Sequence, residues 1–158
     1  MTSPATRADA ASRQAGFTLV EIVCVLAIFA ILAAIVLPAI PRGTTRPALE
    51  AYALQTAALL KSDRSIAIRR HIEVATVVDA PARTLRSGAS GRVVRIPDDV
   101  NLDATLAARC NNRPAGATIR HFASGTSCGG VIALTRNGVG YQVRVNWLTG
   151  GIEVVAIN

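Results

Sequence analysis

Gly16-Phe17-Thr18-Leu19-Val20-Glu21 runs directly into Ile22-Val23-Cys24-Val25-Leu26-Ala27-Ile28-Phe29-Ala30-Ile31-Leu32-Ala33-Ala34-Ile35-Val36-Leu37. One carboxylate, Glu21, stands near the start of a segment that is otherwise apolar. An ionised group in hydrocarbon costs about 2.5–3.5 kcal/mol on insertion scales, so an acid placed there needs a use. Residues 17–37 are 21 in number; as a helix they span about 31 Å, which matches a bilayer core of about 30 Å. A secretory signal has a shorter apolar core with its cleavage site after it. Here Pro38 follows without a small-x-small site, so processing ahead of the core would leave the helix on the mature chain. A signal-anchor helix with Glu21 at the headgroup level is the other reading of these residues.

Ahead of this core, residues 1–16 carry Arg7 and Arg13 against Asp9, and Arg42 and Arg46 lie beyond its far end. The balance of positive charge therefore sets no orientation. The GFTLVE string, with a glycine at the junction and a long apolar core behind it, resembles the class III signal of type IV pilins and type II secretion pseudopilins. That resemblance implies a cytoplasmic leader and an external globular domain. It also implies that a prepilin peptidase cuts between Gly16 and Phe17 and methylates the new amino terminus, leaving 142 residues. Phe17 would then be the first residue, Glu21 the fifth, and Pro38 the helix kink. In such a filament the Glu21 carboxylate meets the amino-terminal group of Phe17 on a neighbouring subunit. Pairing offsets the cost of burying the charge and favours correct axial register.

From residue 39 onward the chain holds 15 basic and 8 acidic residues, and all the basic residues there but Lys61 are arginine. A basic domain suits nucleic acid, anionic lipid or an acidic partner, and charge alone does not choose among them. Pro38, Pro41 and Gly43 interrupt helix geometry. Pro47 then suits a helix first turn, and the apolar spacing predicts an amphipathic helix over residues 47–71 packed on a sheet. Asp63, Arg64, Arg69 and Arg70 are expected on its solvated faces. Strands are expected at 72–78, 92–96, 117–122, 131–135, 140–147 and 152–157, with residues 102–108 as a helical turn or loop. Asn137-Gly138 is a hairpin turn, because both residues tolerate positive φ, and Thr149-Gly150-Gly151 turns the chain again. The expected class is α+β: a long N-terminal helix, membrane half plus amphipathic half, packed on an antiparallel sheet or two-sheet sandwich. The expected segments are a removed leader (1–16), a transmembrane and filament-core helix (17–38), a Pro/Gly linker (39–46) and a periplasmic domain (47–158).

Beyond the leader the layout is similar to the H-type minor pseudopilins. Residues 57–69 (AALLKSDRSIAIR), 120–125 (RHFASG) and 128–134 (CGGVIAL) carry that similarity, together with 143–154 and their turn at Thr149-Gly150. It implies a structural subunit near the tip of a short periplasmic pseudopilus that supports export of folded proteins across the outer membrane. The partners implied are other minor and major pseudopilins, the prepilin peptidase, the inner-membrane secretion platform and, before assembly, membrane lipid. In an oxidising compartment Cys110 and Cys128 form the obvious disulfide, closing a loop worth about 3 kcal/mol in the chain-entropy model. Two free thiols are the other reading. The alternative function is a minor type IV pilin involved in DNA uptake or pilus assembly.

Catalytic readings are weak. Gly125-Thr126-Ser127-Cys128-Gly129 fits G-x-S-x-G, but a strand-like run follows where a nucleophile elbow needs a helix. His71 and His121 have no acid placed beside them, and the cysteines lack zinc-ligand spacing. Asp98, Asp99 and Asp103 lack a calcium-loop pattern. No enzyme activity, metal or cofactor is expected. The arginines at 83, 86, 92, 95, 109, 113 and 120 are the candidates for nucleic-acid binding. They are interspersed with acids, and Phe122, Tyr141 and Trp147 read as core, so nucleic acid is not the expected partner.

Overall fold

The computed structural model describes residues 18–36 and 43–157. Gly16, Phe17 and Pro38, the leader, and residues 39–42 of the expected linker lie outside the described residues. The chain divides into two units, Met1–Pro41 and Arg42–Asn158.

In the first unit, helix α1 spans Leu19–Val36. Thr18 starts it: its hydroxyl accepts the Glu21 N–H at 3.3 Å. Thr18 and Glu21 thus stand at the N-cap and N3 positions of a T-x-x-E sequence, of which the Thr18 half of a capping box is formed. The 18 residues of α1 span about 27 Å. Among the described residues no helix is long and apolar enough to cross a membrane; the expected segment, 17–38, is longer than α1 at both ends.

Helix α2, Arg46–Arg70, opens the second unit. Thr45 caps it by accepting the Ala48 N–H at 3.4 Å, Pro47 fills the first turn, and His71 ends it in the left-handed region at φ 52°. Arg69 and Arg70 in the last turn complement the negative end of the helix dipole. The expected bounds, 47–71, fall within a residue of these. Leu49, Ala53, Thr56, Leu60, Asp63 and Ala67 are buried along one stripe, the 3–4 spacing of a single helix face.

That stripe packs against two antiparallel sheets. The first has the order β3-β2-β1-β7, from Val93–Arg95, Thr84–Arg86, Val74–Asp79 and Thr118–His121. The second has the order β10-β9-β8-β4, from Ile152–Ile157, Val139–Val145, Gly130–Arg136 and Asn101–Leu106. A two-residue pair, β5 (Arg109–Cys110) and β6 (Arg113–Pro114), makes a small separate hairpin. Asn137 and Gly138 both have positive φ at the β8–β9 turn. One hydrophobic core joins the layers: Leu49, Leu59 and Leu60 from α2, Leu85 and Ile119 from the first sheet, and Ile132, Leu134 and Val143 from the second.

Residues 102–108 are not a helical turn. Asn101–Leu106 pairs with β8 over six positions, Asn101↔Thr135 to Leu106↔Gly130. Leu102 points into the core while Asp103 is exposed, an alternation of period two that the Ala- and Leu-rich composition obscured.

Candidate functional site

Glu21 is the one charged residue of α1. Leu19, Val20, Ile22, Val23, Leu26, Phe29 and Leu32 around it are all exposed. A helix that is apolar on every side needs lipid or other helices around it. Glu21 sits in the first turn, where backbone N–H groups leave a partial positive charge that favours a carboxylate. The acid is therefore tolerable at this end of the rod and remains available to a second cation.

The second unit begins with a clamp. The Asp99 carboxylate accepts the Thr44 N–H at 2.6 Å and the Thr44 hydroxyl at 2.8 Å. Arg136 donates to the Thr44 carbonyl at 2.7 Å and pairs with Asp99 at 2.9 Å. These donors, Thr44 first and then Arg136, hold the Asp99 carboxyl below the usual carboxylate range. The end of the expected linker is thus fixed directly in front of the Thr45 cap.

Inside the core, Asp63 is fully buried and not on a solvated face. It accepts from the Thr76 hydroxyl at 2.7 Å, from the Ser87 hydroxyl, and from the Gly88 N–H at 3.1 Å. A buried carboxylate is tolerable only when its oxygens are satisfied in this way. Helix α2 is thereby tied to β1 and to the turn after β2. Arg64 beside it is half-buried and donates to the Gly125 carbonyl at 3.0 Å and the Thr149 carbonyl at 2.9 Å. Helix phase was the signal for Asp63, since positions 49, 53, 56, 60, 63 and 67 alternate steps of four and three.

The G-x-S-x-G match is structural. Ser127 forms an isolated antiparallel bridge with His121, and its hydroxyl accepts the Gly129 N–H at 3.1 Å. His121 is fully buried, both ring nitrogens lack a hydrogen-bond partner, and burial lowers its pKa to about 4. No nucleophile–base pair exists here. Among the described residues no group of three His, Cys, Asp or Glu side chains is placed to hold a metal ion.

Cys110 and Cys128 are joined, with Cα atoms 5.5 Å apart, which fastens the β5–β6 hairpin to the segment leading into β8. Cys24 is free and exposed. The arginine candidates divide: Arg83 pairs with Asp98 at 2.8 Å and Arg120 with Glu73 at 2.6 Å. Arg86 and Arg95 lie on β2 and β3, and Arg109 and Arg113 on the hairpin. Asp103 accepts from Asn101 at 2.6 Å. Trp147, expected in the core, is exposed, while Phe122 and Tyr141 are half-buried. Its position after the end of β9, inside a turn, releases it from the sheet's alternation.

The family model described as the prokaryotic N-terminal methylation motif matches residues 11–37. No curated protein matches this chain. Among solved structures, the minor pseudopilin EpsH of the type 2 secretion system of Vibrio cholerae is 14% identical with a TM-score of 0.55, over 68% of this chain and 96% of its own. A second structure of that protein gives 12% identity and a TM-score of 0.56, over 70% and 94%. The type IV minor pilin FimU of Pseudomonas aeruginosa is 18% identical with a TM-score of 0.51, over 68% and 92%. The chain thus joins a type IV pilin-like N-terminal methylation motif to the α+β fold of minor pseudopilins and minor pilins.

Proposed function

We propose that this chain is a minor pseudopilin, a non-enzymatic subunit near the tip of a type II secretion pseudopilus that supports export of folded proteins across the outer membrane. The observation that carries the reading is α1: a rod apolar on all sides, with Glu21 as its one charge. Such a helix is stable in lipid before assembly and among like helices afterwards. Residues 17–38 anchor the chain in the inner membrane with the globular unit on the periplasmic side, after a prepilin peptidase has cut between Gly16 and Phe17 and methylated Phe17. Glu21 then pairs with the amino terminus of an adjoining subunit. The second unit supplies lateral contacts to other pseudopilins and to the secretion platform.

The likeness to FimU supports a second reading, a minor type IV pilin in pilus assembly or DNA uptake. Ion pairing of Arg83 and Arg120 reduces the positive charge left for DNA. Intact-mass and amino-terminal analysis of the full chain, expressed with and without a prepilin peptidase, tests the proposal. The expected product begins at methylated Phe17 and co-purifies with pseudopilins; a chain that still begins at Met1 beside an active peptidase would overturn it. Co-purification with pilus subunits only would favour the second reading.

A further inference from the structure

Trp147 and Leu148 are 67% and 61% exposed, the largest apolar exposures among the described residues of the second unit. The backbone that carries them is hydrogen-bonded on both sides. The Asn146 side chain accepts from the Leu148 N–H at 2.9 Å and the Thr149 N–H at 3.0 Å. Ser127 N–H donates to the Trp147 carbonyl at 3.0 Å, and Gly150 N–H to the Asn146 carbonyl at 2.9 Å. Beside the Trp147 Cβ lies Gly129, in the left-handed region at φ +73°, where an added Cβ would stand 3.0 Å from it. The glycine leaves room for the Trp147 backbone and Cβ to lie this close.

Trp147 and Cys128 divide two grooves. The larger, about 790 Å³, crosses the outer face of the second sheet. Its cross-strand row is Thr105, Val131, Arg144 and Glu153, one residue from each of four paired strands. At about 4.8 Å between strands that row is about 14 Å long, the reach of about four extended residues. The smaller groove, about 550 Å³, continues past the disulfide to Arg109 and Phe122. Arg144 turns to the Gln142 side chain, at 2.9 and 3.1 Å, although Glu153 is its strand partner. Arg109 donates only to the Asn112 carbonyl, at 3.2 Å. Neither arginine forms an ion pair among the described residues, and Glu153 is the one acid lining either groove.

We infer that this surface docks an extended acidic polypeptide segment of a partner protein. An apolar side chain of the segment packs against Trp147 and Leu148, and its carboxylates meet Arg144 on one side and Arg109 on the other. Exposed aromatics beside arginines are the residue types that dominate protein interfaces. Holding them on a hydrogen-bonded turn lowers the entropy cost of binding, and two arginines against one acid set the sign of the partner's charge. The surface lies within the second unit and uses neither α1 nor Glu21, so it can fail or stand independently of the assembly role.

Trp147 is the single tryptophan of the chain, so its emission reports on this surface directly. Full-length protein in detergent micelles is titrated with a labelled twelve-residue peptide of alternating glutamate and leucine, and with the lysine–leucine peptide of equal length. The acidic peptide is expected to shift Trp147 emission to the blue and to bind at least about tenfold more tightly than the basic one. Arg109→Gln with Arg144→Gln should weaken it about tenfold or more, as should Leu148→Ala, with far-UV circular dichroism unchanged. Equal binding of both peptides, binding indifferent to these substitutions, or no binding would overturn the inference. So would displacement by oligothymidylate at lower concentration, or an emission shift that follows protein concentration alone, which would assign the surface to nucleic acid or to a second copy.

Discussion

Removing the Asp63 carboxylate strands three donors at once: the hydroxyls of Thr76 and Ser87 and the N–H of Gly88. Unsatisfied buried groups cost about 1–3 kcal/mol each, and bonds to a charged acceptor are stronger than average. Asp63→Ala should therefore lower stability by about 3 kcal/mol or more in thermal melts of the full chain. Asp63→Asn should lose less, because the amide oxygen can keep Thr76 and Gly88 while its NH₂ donates to Ser87. His121 makes a different contribution. Its folded pKa of about 4 lies below the ordinary 6.5, mainly because burial opposes the charged ring, with Arg64 adding to this and Asp63 opposing it. Between these values the unfolded chain binds a proton that the folded chain does not, so stability rises with pH. As pH falls from 6.5 to about 4, about 3 kcal/mol should be lost, levelling off below that window. His121→Leu, measured by chemical denaturation at several pH values, should remove this slope; an unchanged slope would assign it to the carboxylates instead.

Elements differ in how plainly local sequence declares them, and the difference follows from where their partners lie. Helix α2 shows in its apolar phase and in Pro47, and the β8–β9 hairpin in Asn137-Gly138, because each carries its own signal within a few residues. Strand β4 does not: its leucines and alanines suit a helix, and only pairing with β8 some thirty residues later (Leu102↔Leu134) makes it a strand. Strand β2, Thr84–Arg86, and the hairpin strands are two or three residues long, too short for any period. The candidate site divides in the same way. Glu21 stands out as a lone acid in an apolar run, whereas the Thr44–Asp99 contact depends on a distant segment, and the exposure of Trp147 on β9 ending two residues before it. The β5–β6 hairpin makes this dependence measurable. Asn111 and Asn112 turn it with positive φ, yet two residue pairs are too few to hold it. The Cys110–Cys128 link, across a separation of 18 residues, supplies the restraint. Cys110→Ser with Cys128→Ser should cost about 3 kcal/mol and raise amide exchange across Arg109–Pro114 while leaving α2 protected. Unchanged exchange in the hairpin would show that its neighbours hold it without the disulfide.

For the molecule as a whole, the core that stabilises the fold and the helix proposed to drive assembly are separate sets of residues. Among the described residues every side chain of the hydrophobic core lies between Leu49 and Val154, whereas the large apolar side chains of α1 from Leu19 to Leu32 are exposed. Glu21 could serve its own helix, as the N3 member of a capping box, or serve a neighbour, as a counter-charge. The two roles respond differently to a neutral isostere. Glutamine is as acceptable as glutamate in a capping box, and loss of the charge at the helix end is worth only about 0.3–1 kcal/mol. A buried ion pair that loses one partner leaves the other charge uncompensated, at about 3–5 kcal/mol. Glu21→Gln and Glu21→Leu should therefore both lose co-purification with neighbouring pseudopilins from membranes, while the melting transition reported by Trp147 stays where it is in the native chain. Normal co-purification of the glutamine variant would return Glu21 to a capping role. A lowered melting transition in either variant would mean that α1 and the globular core are not energetically separate.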